Sequence, residues 1–510
     1  MFCSRILPRL LRPCGQRHNY LKRLSRIEEN SGQRGMMQYT TASERRPFDG
    51  IANTKPSIWV EFTSLAAECN AVNIGQGFPD SPMPQFVADI LKEIASHPER
   101  TDWHQYTRGF GHPRLVKALA NLYSKLLNVD VNAQNDVLVT VGAYLSLYYA
   151  FTGWINRGDE VIVLEPAYDC YVPQIQLAGG VPVAVPLKLG SDAESSADYH
   201  LNISDIEAKI TDLTKFIVIN NPHNPTGKLF SREELEELAN LVRKYNLLVI
   251  ADEVYEWHIY QDREMIRFGR YLFVRLIGSV QVISASLPGM YERTITIGSA
   301  GKIFSATGWK LGWSIGPSHL LDPLKAIHQN CVFTCSTPIQ EAVAQAIEKE
   351  MSVMWTDPEK SYFKTGLARD LRSKRDRMAH MLRMAGLKPI IPDSGYFMMA
   401  DFSSLVPPDA FKSESDNGDP LDFRFVRWMC REKNLAMIPP SAFYSNQFKS
   451  DNDHMVRVCF FKGTADVLPW RNRLARSAVN RKTDKVMDQA ESILKQFTSE
   501  INANADASGR

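Results

Sequence analysis

Cysteine is scarce in this chain: eight in 510 residues, namely Cys3, Cys14, Cys69, Cys170, Cys331, Cys335, Cys430 and Cys459. That density excludes a disulfide-stapled scaffold at this length. Cys331 and Cys335 lie close in sequence, but no histidine pair or second cysteine pair completes a metal set, so they read as packing thiols. No GxGxxG follows a strand, which argues against a dinucleotide-dependent oxidoreductase. The longest uncharged run, Val137–Asn156, contains Gly142, Ser146 and Gly153; it reads as a strand, a glycine turn and a buried helix, not as a membrane span. The body also lacks excess positive charge. The formal net charge is +2, but the acid-free segment Met1–Arg26 holds seven of the 59 Lys and Arg, so the remainder sets 52 bases against 57 acids, a net of −5. No basic stripe remains, and nucleic-acid binding is not expected.

That leader is the first thing present. Its arginines and lysines interleave with Ile6, Leu7, Leu10, Leu11, Leu21 and Leu24, the composition of a mitochondrial transit peptide. A matrix location is expected, with the cytoplasm as the alternative. A chain this long has room for two domains. The expected division is leader and linker over 1–47, an N-terminal arm with part of a small domain over 48–85, a large domain over 86–365, a small C-terminal domain over 366–498 and a disordered tail over 499–510.

From Asp136 onward, short apolar strands alternate with helical stretches: Val137–Val141, Glu160–Leu164, Phe216–Ile219 and Leu247–Ala251 as strands, Ser231–Tyr245 as a helix. This predicts an α/β fold with a mostly parallel sheet covered on both faces, followed by a smaller α+β unit with strands at Gly395–Ala400 and Met455–Phe461. In such sheets ligands sit beyond the C-terminal strand ends. Those ends carry Gly142-Ala143 before a helix, Glu165-Pro166-Ala167-Tyr168, Asn220 through Gly227 with Asn224 between two prolines, and Asp252-Glu253-Val254-Tyr255. A glycine turn at a helix N-terminus suits a phosphate. Taken singly, Asp252 reads as a helix cap, Tyr168 as core and Arg457, on an alternating strand, as a solvent-facing side chain.

The stretch Ile297–Trp313 (IGSAGKIFSATGWKLGW) adds a lysine, Lys302, among small residues, with Ser299 before it and Lys310 after it. A lysine nucleophile needs a pocket that lowers its pKa, and a second cation nearby helps. Lys310 and Ser299 suit a phosphate, as charge and as hydroxyl donor. A carboxylate, an aromatic face, a phenol with an amide, a nucleophilic lysine and a phosphate cradle are together what pyridoxal 5'-phosphate requires.

With these residues in view, the sequence resembles the fold-type I, class I pyridoxal-phosphate aminotransferases, within them the kynurenine aminotransferase, glutamine transaminase K and cysteine-conjugate β-lyase group. The likeness rests on WVEF at Trp59, GQGFPD at Gly75, QYTRGFG at Gln105, VTVGAY at Val139, EPAYDCY at Glu165, NPHNPTGK, ADEVYE at Ala251, the Lys302 stretch, HQNCVFTCSTP at His328 and GYF at Gly395. The resemblance implies that Lys302 condenses with the cofactor aldehyde and moves the substrate α-proton. It implies that Asp252 pairs with the pyridinium nitrogen, Tyr255 and Asn224 bond the ring oxygen, and Tyr168 stacks on the ring. Gly142, Ala143, Ser299 and Lys310 would hold the phosphate, with Tyr106 reaching it from a partner subunit. Arg457 would clamp the substrate carboxylate with help from Asn220 and the Gly77 backbone, and Trp59 with the partner's Phe333 would line the side-chain pocket. A homodimer with shared sites follows. The implied activity is transamination of kynurenine, glutamine and other bulky or aromatic amino acids with a 2-oxo acid, with β-elimination of cysteine S-conjugates beside it. A dedicated β-lyase, a synthase of the aminocyclopropane-carboxylate type, and an impaired paralogue that only binds cofactor are the alternatives.

Three places depart from the family. Gly269–Val282 lengthens the connection between Tyr255 and Lys302 by about fifteen residues, and Gly463–Arg481 interrupts the segment after Lys462. Both look compositionally foreign and read as retained intron sequence or a gene-model error, with genuine surface insertions as the alternative. Leu145 replaces a glycine found in relatives and is expected to narrow the phosphate turn.

Overall fold

A computed structural model describes residues 57–510 apart from 261–262, 264, 270–275, 278–279, 282–286, 288, 406–417, 464–485 and 509–510. The basic leader, most of Gly269–Val282 and nearly all of Gly463–Arg481 therefore lie outside the described residues. Within Gly269–Val282, Leu276–Ile277 pairs antiparallel with Val280–Gln281.

Seven strands form the central sheet: β1 (Val137–Thr140), β2 (Glu160–Glu165), β3 (Val181–Pro186), β4 (Thr214–Asn220), β5 (Leu248–Asp252), β6 (Thr294–Ser299) and β7 (Gly312–Ile315), in the spatial order β1-β7-β6-β5-β4-β2-β3. Every neighbouring pair is parallel except the two that involve β7. The strands read as unbroken apolar runs because both faces are buried. Val161, Val163, Phe216, Val218 and Ile250 point into one core, while Ile162, Leu164, Ile217, Ile219, Val249 and Ala251 point into the other. The register aligns the functional ends: Asn220 lies opposite Asp252, and Asp252 opposite Ile297, two residues before Ser299.

Helix α1 (Ile58–Glu68) precedes the sheet, and α2 (Ala143–Trp154) leaves β1 through Gly142. Helix α3 (Arg232–Lys244) covers one face; Ser231 caps it in a capping box, its Oγ accepting from Glu234 N at 3.2 Å while its N–H donates to Glu234 Oε2 at 2.9 Å. The C-terminal part holds an antiparallel sheet of β8 (Lys388–Ile390), β9 (Phe397–Asp401) and β10 (Met455–Cys459) in the order β8-β9-β10. The chain after α1 joins this part, since Val72–Asn73 pairs in parallel with Leu435–Ala436. The last helix, Val486–Ser508, runs well beyond Phe497 and through most of the segment expected to be disordered. Alanine favours the helix there, and Thr498 Oγ1 donates to Met384 O at 2.8 Å, tying it to the helix beneath. Among the described residues no helix is long and apolar enough to cross a membrane, and no cluster of metal-ligating side chains occurs.

Candidate active site

A cavity of about 310 Å³ opens at the C-terminal ends of β1, β4, β5 and β6. Thirteen of the fifteen residues expected at the site line it: Trp59, Gly77, Gly142, Ala143, Tyr168, Asn220, Asn224, Asp252, Tyr255, Ser299, Lys302, Lys310 and Arg457.

Lys302 sits on the short helical turn that follows β6, with part of its surface on the cavity. Burial is the main force on its amine; Cys459 and Asp252 oppose it, Arg457 and Lys310 reinforce it, and the pKa falls to about 8. The amine donates to Tyr396 Oη at 2.9 Å and lies 5.5 Å from the ring centres of Tyr255 and Tyr396.

Asp252 ends β5, only 3% exposed. Burial raises its pKa to about 6 against three opposing influences: the Tyr171 hydroxyl, the Val254 amide and the Lys302 charge. Tyr171 Oη donates to Asp252 Oδ2 at 2.6 Å, while Oδ1 is buried without a hydrogen-bond partner. An orphaned carboxylate oxygen in a cavity is costly, and a ligand N–H is what satisfies it.

At the β1 end, Gly142 adopts φ +78°, which only glycine takes up freely, and delivers the N-terminus of α2 to the cavity without a side-chain cap. The Lys310 amine comes within 3.6 Å of where a Gly142 side chain would begin, so a cation and a helix N-terminus converge there. Ser299 lies beside them, 8% exposed and making no capping bond with its hydroxyl. Leu145 is not among the residues lining the cavity and packs against the core.

Arg457 occupies the far wall on β10. It is fully buried, contrary to the solvent-facing reading of its strand, because it is wrapped by the rings of Phe397, Phe443 and Trp59 at 4.2, 5.0 and 5.1 Å from the guanidinium carbon. Nη1 donates to Asn224 Oδ1 at 3.2 Å and Nη2 to Gly75 O at 3.0 Å, leaving Nε unpartnered. Asn220 helps at one remove: its Oδ1 accepts from the Asn224 N–H at 2.7 Å and its Nδ2 donates to Asp252 O at 2.9 Å. Trp59 Nε1 donates to Asp169 Oδ2 at 2.8 Å, which fixes the indole beside Arg457. A Cβ at Gly77 would lie 2.5 Å from the Phe397 ring, so glycine there lets that ring keep its place.

Tyr106 and Phe333 stand apart. Both are exposed, at 84% and 54%, and neither lines the cavity; their rings meet edge to face at 5.7 Å. Phe333 is held at φ +69°, an uncommon conformation for a bulky residue. Two tyrosines escaped the sequence reading as site residues. Tyr171, in EPAYDCY, holds Asp252, and Tyr396, in GYF, meets Lys302; both look like ordinary core aromatics in sequence, and only their hydroxyl contacts distinguish them.

The donor set fits pyridoxal phosphate. Asp252 Oδ1 is an unused buried acceptor for a pyridinium N–H, Lys302 a desolvated amine, and Gly142, Ser299 and Lys310 a phosphate cradle. The comparisons agree. The family model "Aminotransferase class I and II" matches residues 70–468. Kynurenine–oxoglutarate transaminase 3 of Homo sapiens is 45% identical over 451 residues, covering 88% of this chain and 89% of its own. Kynurenine–oxoglutarate transaminase 1 of Homo sapiens is 41% identical over 442 residues, 85% of this chain and 98% of its own. The crystal structure of Bna3p from Saccharomyces cerevisiae superposes with a TM-score of 0.74 at 29% identity, covering 88% of this chain and 97% of that one. The lysine, the carboxylate with its open oxygen and the buried arginine thus stand in a chain that belongs to the class I and II aminotransferases and is a pyridoxal-phosphate-dependent aminotransferase.

Proposed function

We propose that this enzyme transaminates kynurenine, glutamine and other bulky or aromatic amino acids, passing the amino group to a 2-oxo acid. The carrying observation is Arg457, fully buried among Trp59, Phe397 and Phe443 on the wall opposite the phosphate cradle. A guanidinium there binds a carboxylate bidentately, and the surrounding rings favour a flat, apolar side chain. The relatives named kynurenine–oxoglutarate transaminase support the same reading.

Bound pyridoxal phosphate supplies an aldehyde and an electron-withdrawing ring that accepts the electron pair left by the substrate α-carbon. The chain supplies the rest. Asp252 would keep the ring nitrogen protonated, and Tyr255 with Asn224 would hold the ring oxygen. Lys302, its amine neutral in an accessible pH range, takes the α-proton and returns it. Arg457 sets the substrate's carboxylate so that the α-hydrogen faces Lys302. A substrate with a good β-leaving group gives β-elimination from the same arrangement.

The site is completed in a homodimer, Tyr106 and Phe333 of each protomer reaching the other's cavity; their exposure beside each other supports this. The enzyme works in the mitochondrial matrix, as the acid-free basic leader suggests.

The test is a product-resolved panel: kynurenine, glutamine, aspartate and a cysteine S-conjugate, each with a 2-oxo acid. Kynurenine and glutamine should react at least tenfold faster than aspartate, with pyruvate released only from the conjugate. Pyruvate release without any amino transfer would establish a dedicated lyase. Cofactor binding without either product would establish an impaired paralogue.

A further inference from the structure

We propose that Tyr396 is a further catalytic residue, its hydroxyl holding the free amine of Lys302 and tying that amine to the Gly77 loop of the substrate site.

Lys302 Nζ donates to Tyr396 Oη at 2.9 Å, and Tyr396 Oη donates to Gly77 O at 3.0 Å. A phenol has one proton. With that proton given to Gly77 O, the oxygen presents lone pairs to the amine, so one Lys302 N–H is committed and the amine's own lone pair is left to face the cavity. The backbone that carries Tyr396 is held in place from several sides. Gly395 N donates to His258 O at 2.7 Å, Tyr260 Oη to Gly395 O at 2.6 Å, and Phe460 N to Tyr396 O at 3.1 Å. The ring, fully buried, packs against Phe397, Tyr255 and His258 with centres 4.7, 5.2 and 5.4 Å away. Its burial keeps the phenol protonated, far above the ordinary tyrosine range. The bland reading is a core tyrosine whose hydroxyl satisfies one loop carbonyl. That reading leaves the behaviour of Lys302 unchanged when the hydroxyl is removed, and here the two readings part.

The charged and titratable groups that bear on the Lys302 amine are Asp252, Tyr255 and His258 from the β5 side, Lys310 beyond the lysine turn, and Arg457 and Cys459 on β10. Tyr396→Phe replaces none of them, although Tyr255 loses its hydroxyl contact with Tyr396. An acceptor stabilises an ammonium more than a neutral amine, so losing it moves the amine's midpoint down.

The experiment uses the full chain with Tyr396→Phe. In cofactor-free protein, cyanate labelling of Lys302 is followed by peptide mass spectrometry across pH. In the loaded enzyme, the half-reaction with kynurenine is followed with and without α-deuterium. The labelling midpoint should fall by about half a pH unit or more, and the half-reaction slow by about 10- to 100-fold with substrate affinity changed less than about threefold and a larger isotope effect. An unchanged midpoint with a half-reaction within about twofold of normal overturns the proposal. Should Tyr396→Phe not fold, site-specific 3-fluorotyrosine at 396 keeps ring and oxygen but weakens the acceptor. A smaller downward shift supports the proposal, and no shift overturns it.

Discussion

Tyr171 Oη donates to Asp252 Oδ2 at 2.6 Å and leaves Oδ1 of the same carboxylate buried and unpartnered. One oxygen is thereby engaged by the protein and the other kept for the cofactor. Tyr171 also opposes the burial that lifts Asp252 to about 6. Tyr171→Phe should raise that value further, so that the carboxylate is neutral over more of the neutral range. Cofactor affinity, titrated by absorbance, should fall about tenfold at pH 7, and its acid limb should move to higher pH by about one unit. An acid limb that stays in place would show that Tyr171 only fills space.

Asp252→Asn separates stability from function. A carboxyl whose folded pKa is raised favours folding below its unfolded value and loses that contribution as pH rises through about 6. At pH 8 the cofactor-free protein therefore carries a buried carboxylate with one oxygen unsatisfied. The asparagine variant should be more stable there, by on the order of 2 kcal/mol in urea unfolding, with the advantage vanishing below pH 4. The same variant should transaminate at least about a thousandfold more slowly, because the ring nitrogen loses its anionic partner.

The pH dependence of cofactor capture reports Lys302. Its depressed pKa means that the amine becomes neutral above about 8 rather than near the ordinary lysine value. Recombination of cofactor with stripped enzyme should accelerate up to about pH 8 and then level, and Lys302→Ala should show no such limb while still binding the phosphate weakly. Acceleration continuing to pH 10 would contradict the burial argument.

The sheet and most of the site were legible because their chemistry is written locally. Apolar runs of strand length alternate with capped helices, and a lysine among small residues or an aspartate at a strand end stands out. Position in space was harder. Val181–Pro186, which carries Pro182 and Pro186, is not among the expected strands, yet it lies at the sheet edge, where a missing N–H is tolerated. Arg457 alternates like a surface residue, and only the three rings around it explain its burial. Tyr171 and Tyr396 carry no local mark at all, since a buried tyrosine is defined by what its oxygen touches. Tyr106 and Phe333 are expected to serve a partner's site, and they stand outside the cavity of their own chain.

Gly77→Ala probes the substrate wall. The added Cβ would meet Phe397 at 2.5 Å, and Phe397 is the ring lying 4.2 Å from the Arg457 guanidinium. The ring must move, loosening the arginine without touching Asp252 or the phosphate cradle. KM for kynurenine should rise about tenfold or more with cofactor affinity unchanged. A loss of cofactor instead would place Gly77 in the wrong half of the site.

Complementation between inactive variants tests the shared site. If Tyr106 serves the partner's cavity, a Lys302→Ala protomer still offers an intact Tyr106, and a Tyr106→Ala protomer still offers an intact Lys302. In the mixed dimer these two fall into one cavity, while the other cavity loses both. Equal mixing and reassociation should make half of the dimers mixed, each with one complete site, and so restore about a quarter of normal activity. Neither variant alone should approach that value. If mixing restores nothing although mixed dimers form, each protomer must build its site unaided, and the edge-to-face pairing of Tyr106 with Phe333 at 5.7 Å on the surface would then be packing without a catalytic part.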